Sequence, residues 1–287
     1  MYERSSKKMV VFCEKQGLPN TLIFDLIPSI LTYMKTGTLK GAILMLGEPG
    51  CGKTTTCRLI CSQILGIPPW VISIPQSDAR HGLCGESRTF SGADVGGLAE
   101  GILQNKNLIR GFVLDEIDKC PDPKNRPSIA NELLSVCDDS ISDVRDNYLG
   151  FHLPSLQYCP ILMTANDEEQ INPILLDRCT IIHFPNADLD RLEKIIVCYT
   201  KRKLETDVFN MIDVDYSLLR KTSEQLLNEN ISSIRQHERV IDTALGFALA
   251  KAVSTDAERV DLTHEMLDRA VQKLCRNKHC RKVGFSA

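Results

Sequence analysis

The sequence lacks several features by which large classes of protein are recognised. It has no apolar run near the roughly 18 residues that a membrane-spanning helix requires. It has no excess of positive charge, since 34 Lys and Arg against 37 Asp and Glu give a formal net charge of −3. The first apolar stretch, residues 9–13, is too short for a secretory signal. We therefore expect no membrane segment, and overall charge does not favour nucleic acid.

Cysteine, by contrast, is abundant, with 12 residues in the chain. Twelve cysteines would indicate disulfides in a short secreted protein, but 287 residues with 43% hydrophobic content can form a full core. Most of them lie within apolar or helical patterns: Cys57, Cys61, Cys137, Cys159 and Cys198. We interpret them as reduced residues of a cytoplasmic protein.

Short apolar runs alternate with helical patterns through the first two thirds of the chain. The five runs are residues 42–46, 70–74, 111–115, 159–166 and 180–184. This alternation predicts an α/β domain over 41–186, with a parallel five-stranded sheet flanked by helices. Residues 1–40 form a predicted helical segment before it. Helical patterns without strand signals predict an all-helical domain over 187–276, followed by a loose basic tail at 277–287.

The first apolar run leads into a stretch that matches the phosphate-loop motif G-x-x-x-x-G-K-S/T and then into a helix. The glycines let backbone N–H groups point at an anion, and the helix amino terminus adds partial positive charge. Lys53 can reach the β- and γ-phosphates, and the Thr54 hydroxyl can bind Mg²⁺. The predicted phosphate-binding residues are Gly47, Glu48, Pro49, Gly50, Cys51, Gly52, Lys53, Thr54 and Thr55. The alternative, a chance glycine-rich turn, is disfavoured by the strand–loop–helix context.

The segment GFVLDEIDK supplies the carboxylates that a phosphate site needs. Asp115 ends a predicted buried strand, where it could hold Mg²⁺ together with Thr54. Glu116 follows directly and could polarise an attacking water molecule. Strand alternation would send these two side chains to opposite sides. A solvated strand end is the alternative, which the presence of the phosphate loop makes less favourable.

Three further polar residues follow later segments. Asn166 closes the run ILMTAN and could orient a water molecule near the γ-phosphate, although asparagine also often begins a turn. Arg178 would face outward and, in a ring of subunits, reach a neighbour's γ-phosphate; the alternative is a surface salt bridge. Arg235, near a helix start, could reach back over the nucleotide, but Arg239 lies only one turn further on.

Taken together, these segments resemble AAA+ ATPases, and more narrowly the ATPase module of Lon proteases, over about residues 35–275. The resemblance rests on GTLKGAILMLGEPGCGKTT, FVLDEIDK, NYLGFHLPSLQYCPILMTAND and INPILLDRCTII. It implies an α/β P-loop domain with a carboxyl-terminal helical lid, binding ATP and Mg²⁺. It also implies that Asn166 is the first sensor, Arg178 a finger acting in trans, and Arg235 the second sensor.

The stretch ESRTFSG resembles the loop in which Lon presents an aromatic residue to the central pore, and the resemblance makes Phe90 that residue. A core phenylalanine is the alternative, but the polar, glycine-rich flank suits an exposed loop. Lon also carries a substrate-binding region before this module and a Ser-Lys peptidase after it. Here about 35 residues precede the module and about ten follow its last helix, so we expect no peptidase activity.

We accordingly expect an ATP hydrolase that forms a homo-oligomeric ring, a hexamer, and remodels or unfolds protein. Its partner would be a protein substrate or a separate effector subunit, and no membrane. One alternative is a nucleic-acid loader or motor of the same superfamily, which the basic tail allows. Another is an ATP-binding switch without hydrolysis, against which Glu116 and Arg178 argue. A truncated relative of a longer enzyme also stays open.

Overall fold

The computed structural model describes residues 20–39, 41–77, 81–104, 108–119, 129–138 and 144–283. Of these residues, 20–48 and 52–184 form one compact unit, and 49–51 with 185–283 form a second. No helix in the described ranges is both long and apolar enough to cross a membrane.

Helices and strands alternate along the first unit. In chain order they are α1 (Asn20–Thr36), β1 (Ala42–Leu46), α2 (Lys53–Leu59) with a π-helical turn at Ile60–Leu65, β2 (Pro69–Ser73), α3 (Ile74–Ser77), α4 (Gly97–Leu103), β3 (Gly111–Asp115), α5 (Ile129–Val136), β4 (Arg145–Asp146), β5 (Phe151–His152), β6 (Ile161–Ala165), α6 (Pro173–Asp177) and β7 (Cys179–His183). Short 3₁₀ turns lie at Ile117–Lys119, Pro154–Tyr158 and Glu168–Gln170.

Five of the strands form one parallel sheet in the order β2-β3-β6-β1-β7, which confirms the predicted fold class. Every residue of the central strand β1 is buried. Its Ile43 lies opposite Leu162 on β6 and Thr180 on β7, so β1 is paired along both edges. A parallel strand covered on both faces must be apolar throughout, which is why AILML reads as an uninterrupted hydrophobic run.

Local signals in the sequence fix where α6 begins. The Asn172 side chain accepts a hydrogen bond of 2.9 Å from the Ile174 N–H, and Pro173 occupies the first helical position. Both residue types are preferred there, because the first N–H groups of a helix have no internal partner. The helix is short, and Arg178 follows it directly, at the entry to β7.

The described part of the second unit is built on four helices. Its elements are α7 (Leu189–Leu204), β8 (Ile212–Val214), α8 (Tyr216–Asn228), α9 (Ile234–Thr255), β9 (Val260–Leu262) and α10 (His264–Val283). The predicted helical character is confirmed, but β8 and β9 add a short parallel pair, with Ile212 opposite Val260. Three residues are too few to give a recognisable strand period.

The chain ends depart from the prediction in one respect. The backbone of residues 277–283 continues α10, so this part of the expected loose tail is helical. Residues 1–19 and 284–287, on which the other terminal predictions fall, lie outside the described residues.

Candidate active site

The strand order brings the predicted site segments to one edge of the sheet. The phosphate loop follows β1, Asp115 closes β3, and Asn166 follows β6. Because β3, β6 and β1 are adjacent and parallel, their carboxyl ends lie side by side. This edge is where open α/β sheets bind ligands.

Two glycines explain the shape of the phosphate loop. Gly52 caps α2 with φ 102°, a left-handed conformation that favours glycine. Gly47 lies so close to the Phe184 carbonyl that a Cβ atom would collide with it. Of the other predicted loop residues, Cys51 is buried and three are exposed: Glu48, Pro49 and Thr55.

Lys53 joins the loop to the neighbouring strand. Its side chain is buried, and Nζ donates to the carbonyls of Gly47 (2.7 Å) and Glu48 (2.9 Å). A third bond of 3.0 Å goes to Oδ1 of Asn166. An ammonium group that already donates to three oxygen atoms is also suited to donate to the oxygens of a phosphate.

The side chains of Thr54 and Asp115, which the sequence analysis predicted to bind one Mg²⁺ ion, are in direct contact. The Thr54 hydroxyl donates to Oδ1 of Asp115 at 2.6 Å, and the Thr164 hydroxyl donates to the same oxygen at 2.5 Å. A hydroxyl beside a carboxylate is a donor set that fits Mg²⁺, which prefers oxygen ligands. Thr164 was not anticipated, because its hydroxyl stands alone in the apolar run ILMTA.

Glu116 departs from the expectation that strand alternation would direct its side chain. The strand ends at Asp115, and Glu116 has φ 61°, in the left-handed region. Its N–H donates to the Thr164 hydroxyl at 3.2 Å, and its carboxylate pairs with Lys119 at 2.6 Å. A turn, rather than the strand pleat, therefore orients this side chain.

Asp118 is a second residue that sequence reasoning missed. Its Oδ2 accepts bonds from the backbone N–H (3.2 Å) and the side-chain amide (3.4 Å) of Asn166. These bonds orient the Asn166 side chain so that its Oδ1 atom accepts the hydrogen bond from Lys53. Asp118 Oδ1 is buried and has no hydrogen-bond partner among the described residues. The DEIDK segment contains Asp118, but spacing alone does not reveal its contact with β6.

Arg178 does not simply face outward. Its Nη1 atom donates to the Leu134 carbonyl and to Oδ2 of Asp138, each at 2.7 Å. Leu134 lies in the last turn of α5 and Asp138 lies two residues beyond its end, and the Arg178 side chain remains 35% exposed. The salt bridge that the sequence left open as an alternative is thus present, on a side chain that solvent still reaches.

In the second unit, residues 50 and 51 of the phosphate loop accept hydrogen bonds from residues of the helices. The Ile234 N–H donates to the Gly50 carbonyl at 2.9 Å, and Arg191 Nη2 donates to the Cys51 carbonyl at 3.1 Å. Burial lowers the pKa of Arg191. Arg235 follows Ile234, and both it and Arg239 are exposed, so the structure does not choose between these two arginines.

Phe90 lies in the loop between residues 85 and 96 and is 64% exposed, unlike a core phenylalanine. The base of this loop is fixed by Asp146, a fully buried carboxylate that sequence reasoning missed. Asp146 accepts bonds from the N–H groups of Gly96 (2.9 Å) and Leu149 (2.8 Å). The loop therefore has an anchored base and an exposed aromatic residue.

Comparison with known proteins defines the class. The model of the "ATPase family associated with various cellular activities (AAA)" matches residues 43–186, just over half of the 287 residues. The chain belongs to this family. It is 30% identical to a Lon protease of Finegoldia magna over 257 residues, which cover 85% of this chain and 32% of that protein. The predicted family and its Lon-like branch are confirmed, and the chain spans about a third of the length of the curated relatives it matches.

Solved structures support the same fold. An Hsp104 structure with ATPγS and FITC casein superposes with a TM-score of 0.66 at 15% identity, covering 88% of this chain and 48% of that one. The RuvB Holliday junction branch migration motor of Thermotoga maritima gives 0.54 at 14% identity, covering 88% and 68%. At these identities the likeness shows the fold alone.

Proposed function

We propose that the chain hydrolyses ATP as part of a ring of identical subunits, a hexamer, that remodels or unfolds protein. One observation supports the proposed hydrolysis: two hydrogen bonds at the sheet edge join residues far apart in sequence. Lys53 binds Asn166, and Thr54 binds Asp115. These pairs connect the loop after β1 to the ends of both β6 and β3, as a site for a nucleoside triphosphate requires.

In this proposal Lys53 and the loop N–H groups bind the phosphates of ATP. Thr54 and Asp115 would hold Mg²⁺, which would neutralise negative charge on the phosphate oxygens. Asn166 orients the attacking water, with its amide held by Asp118. Glu116 accepts a proton from that water, which requires its carboxylate to leave Lys119.

The ring is supported by Arg178. Its guanidinium bonds to the Leu134 carbonyl and to Asp138, and none of its described bonds goes to the phosphate loop or to Asp115. A half-buried arginine that leaves Asp138 could stabilise transition-state charge on a neighbour's γ-phosphate. Arg235 or Arg239 would act from the helical unit. The exposed Phe90, on its anchored loop, would contact a protein substrate.

A reducing compartment such as the cytoplasm is part of the proposal. Nine cysteines among the described residues are thiols rather than disulfides. Such thiols persist where cellular reductants maintain them.

The first experiment measures ATP turnover per subunit against protein concentration, with Mg²⁺ and saturating ATP. A steep rise to a plateau is expected, because the site is completed between subunits. Glu116→Gln should reduce the plateau by at least about a hundredfold, the lower range for a general base. The matched control is Glu169→Gln, an exposed glutamate just after Asn166, which should retain turnover. Undiminished turnover in Glu116→Gln would contradict the assignment.

A second experiment tests the substrate. Unfolded casein should stimulate wild-type turnover, and Phe90→Ala should remove this stimulation while keeping basal turnover. The control is Phe24→Ala, which replaces another exposed phenylalanine, on α1, and should keep both basal turnover and its stimulation. Stimulation by duplex DNA but not by casein would instead favour the nucleic-acid motor. The superposition on RuvB supports that second candidate at the level of fold.

A further inference from the structure

The strand β2 lies at one end of the sheet and, among the described residues, pairs only with β3. The Gly111 N–H of β3 donates to the Pro68 carbonyl at 3.2 Å, so the even-numbered residues of this segment bond to β3. Because peptide groups of a strand bond alternately to its two sides, the Val71 N–H and carbonyl and the Ser73 N–H point away from β3. These three groups have no hydrogen-bond partner among the described residues. Such an open edge is a template for one more strand.

A cavity of about 570 Å³ lies along this edge. Four consecutive β2 residues, 70–73, form part of its wall. Since strand side chains alternate between the two faces of a sheet, a cavity that touches four residues in a row reaches the backbone at the edge. Of these four residues only Ile72 is buried, whereas every residue of the central strand β1 is buried. The cavity therefore gives access to the open edge of β2.

The loop that carries Phe90 forms another wall of this cavity, through Asp94 and Val95. The Trp70 indole N–H donates to the Gly97 carbonyl at 3.1 Å, which fixes the end of that loop to β2. Phe90 and Asp94 are four positions apart, so their Cα atoms are separated by at most about 14 Å. An extended peptide of eight residues spans about 26 Å. One such peptide can therefore contact Phe90 and the open edge together.

The lining of the cavity is acidic. Asp94 and Glu100 are exposed carboxylates, and His81 is the other titratable side chain among the described lining residues. Each carboxylate accepts a hydrogen bond from a nearby residue, and neither forms an ion pair with a described residue. The charge of the cavity therefore complements lysine or arginine side chains.

We propose that the open edge of β2 and this cavity bind an extended stretch of protein substrate that carries lysine or arginine. The stretch adds to the sheet beside β2, accepts hydrogen bonds from the N–H groups of Val71 and Ser73, and donates one to the Val71 carbonyl. Its basic side chains lie against Asp94 and Glu100. That the ligand is a substrate rests on the proposed function, whereas binding of a basic peptide to the edge does not.

The single tryptophan of the chain makes this binding measurable without ATP. Because Trp70 lines the cavity, the fluorescence of the 287-residue chain should change and saturate on titration with an eight-residue peptide of alternating lysine and threonine. The same peptide with every backbone amide N-methylated should bind at least about tenfold more weakly, because it has no N–H donor and cannot align as a strand. An alternating glutamate and threonine peptide should not bind.

A charge variant of the chain tests the acidic wall. Asp94→Asn with Glu100→Gln keeps the side-chain shapes and should bind the lysine peptide at least about threefold more weakly. Asp207→Asn with Glu224→Gln is the matched control, since it removes two exposed carboxylates of the second unit and should bind as the wild type does. In the turnover assay, the first double variant should need about threefold more casein for half-maximal stimulation.

The outcomes separate the edge site from the proposed function. Equal binding of the lysine peptide and its N-methylated form would refute strand addition, and equal binding by the two double variants would refute the role of the carboxylates. Peptide binding that is lost as the chain associates, followed by light scattering, would assign the edge to a second copy instead. Casein-stimulated turnover without peptide binding would overturn the edge site alone. Peptide binding without casein stimulation would support the edge site and contradict the remodelling function.

Discussion

Replacing Thr164 by Val tests how the two carboxylates at the end of β3 are held. The Thr164 hydroxyl donates to Asp115 and accepts the N–H of Glu116, so valine removes both bonds while keeping the side-chain shape. A hydrogen bond to a charged group contributes about 1.5–3 kcal/mol, and we expect the unfolding free energy of the first unit to fall by that amount. Because Asp115 and Glu116 both lose a constraint, ATP turnover should fall at least about tenfold, equivalent to ~1.4 kcal/mol in activation free energy.

The assay compares urea unfolding and ATP turnover for three variants. Thr164→Ser keeps the hydroxyl and should retain turnover with a small loss of stability. Thr200→Val removes a buried hydroxyl that donates to the Ile196 carbonyl at 2.8 Å in α7. It should lower stability by about 0.5–1.5 kcal/mol and leave turnover unchanged. Wild-type turnover in Thr164→Val, or equal losses in Thr200→Val, would refute the reasoning.

Three further predictions concern other contacts. Asp146→Asn leaves one of two backbone N–H groups without an acceptor, so we expect a loss of ~1–3 kcal/mol and faster proteolysis within residues 85–96; an unchanged cleavage rate would contradict this. Lys119→Met releases Glu116 from an exposed ion pair of at most about 1 kcal/mol, so basal ATP turnover should rise by no more than about fivefold, and a fall would count against the proposed release. Burial lowers the pKa of His237, so the unfolded chain binds more protons below about pH 6.5. Wild-type stability should therefore fall between pH 6.5 and 5 by more than that of His237→Gln, as measured by urea unfolding at each pH.

Local patterns were sufficient to predict the sheet and most of the candidate site. The three inner strands, β1, β3 and β6, are buried apolar runs, and the phosphate loop and Asp115 carry their chemistry in contiguous segments. The strand order that the structure shows then brings Asn166 beside Lys53. For these residues the chemical requirement and the sequence signal coincide.

The residues that the sequence did not reveal act through long-range contacts. Thr164 reaches Asp115 because β6 pairs with β3 in one register, with Leu114 opposite Met163, and a shift of one residue would turn the hydroxyl away. Asp138 meets Arg178 only after α5 has packed beside α6. No periodicity in the sequence encodes either meeting.

The left-handed backbone of Glu116 means that stability and chemistry favour different residues at this position. For a residue with a Cβ atom, that conformation costs about 1–2 kcal/mol, and glycine would adopt it freely. Any procedure that ranks substitutions by folding free energy alone would therefore select glycine at position 116 and discard the carboxylate. Thermostabilising redesign of this chain must hold the position fixed, and a glycine there in a related sequence would mark a protein that still binds its nucleotide but has given up the proposed hydrolysis.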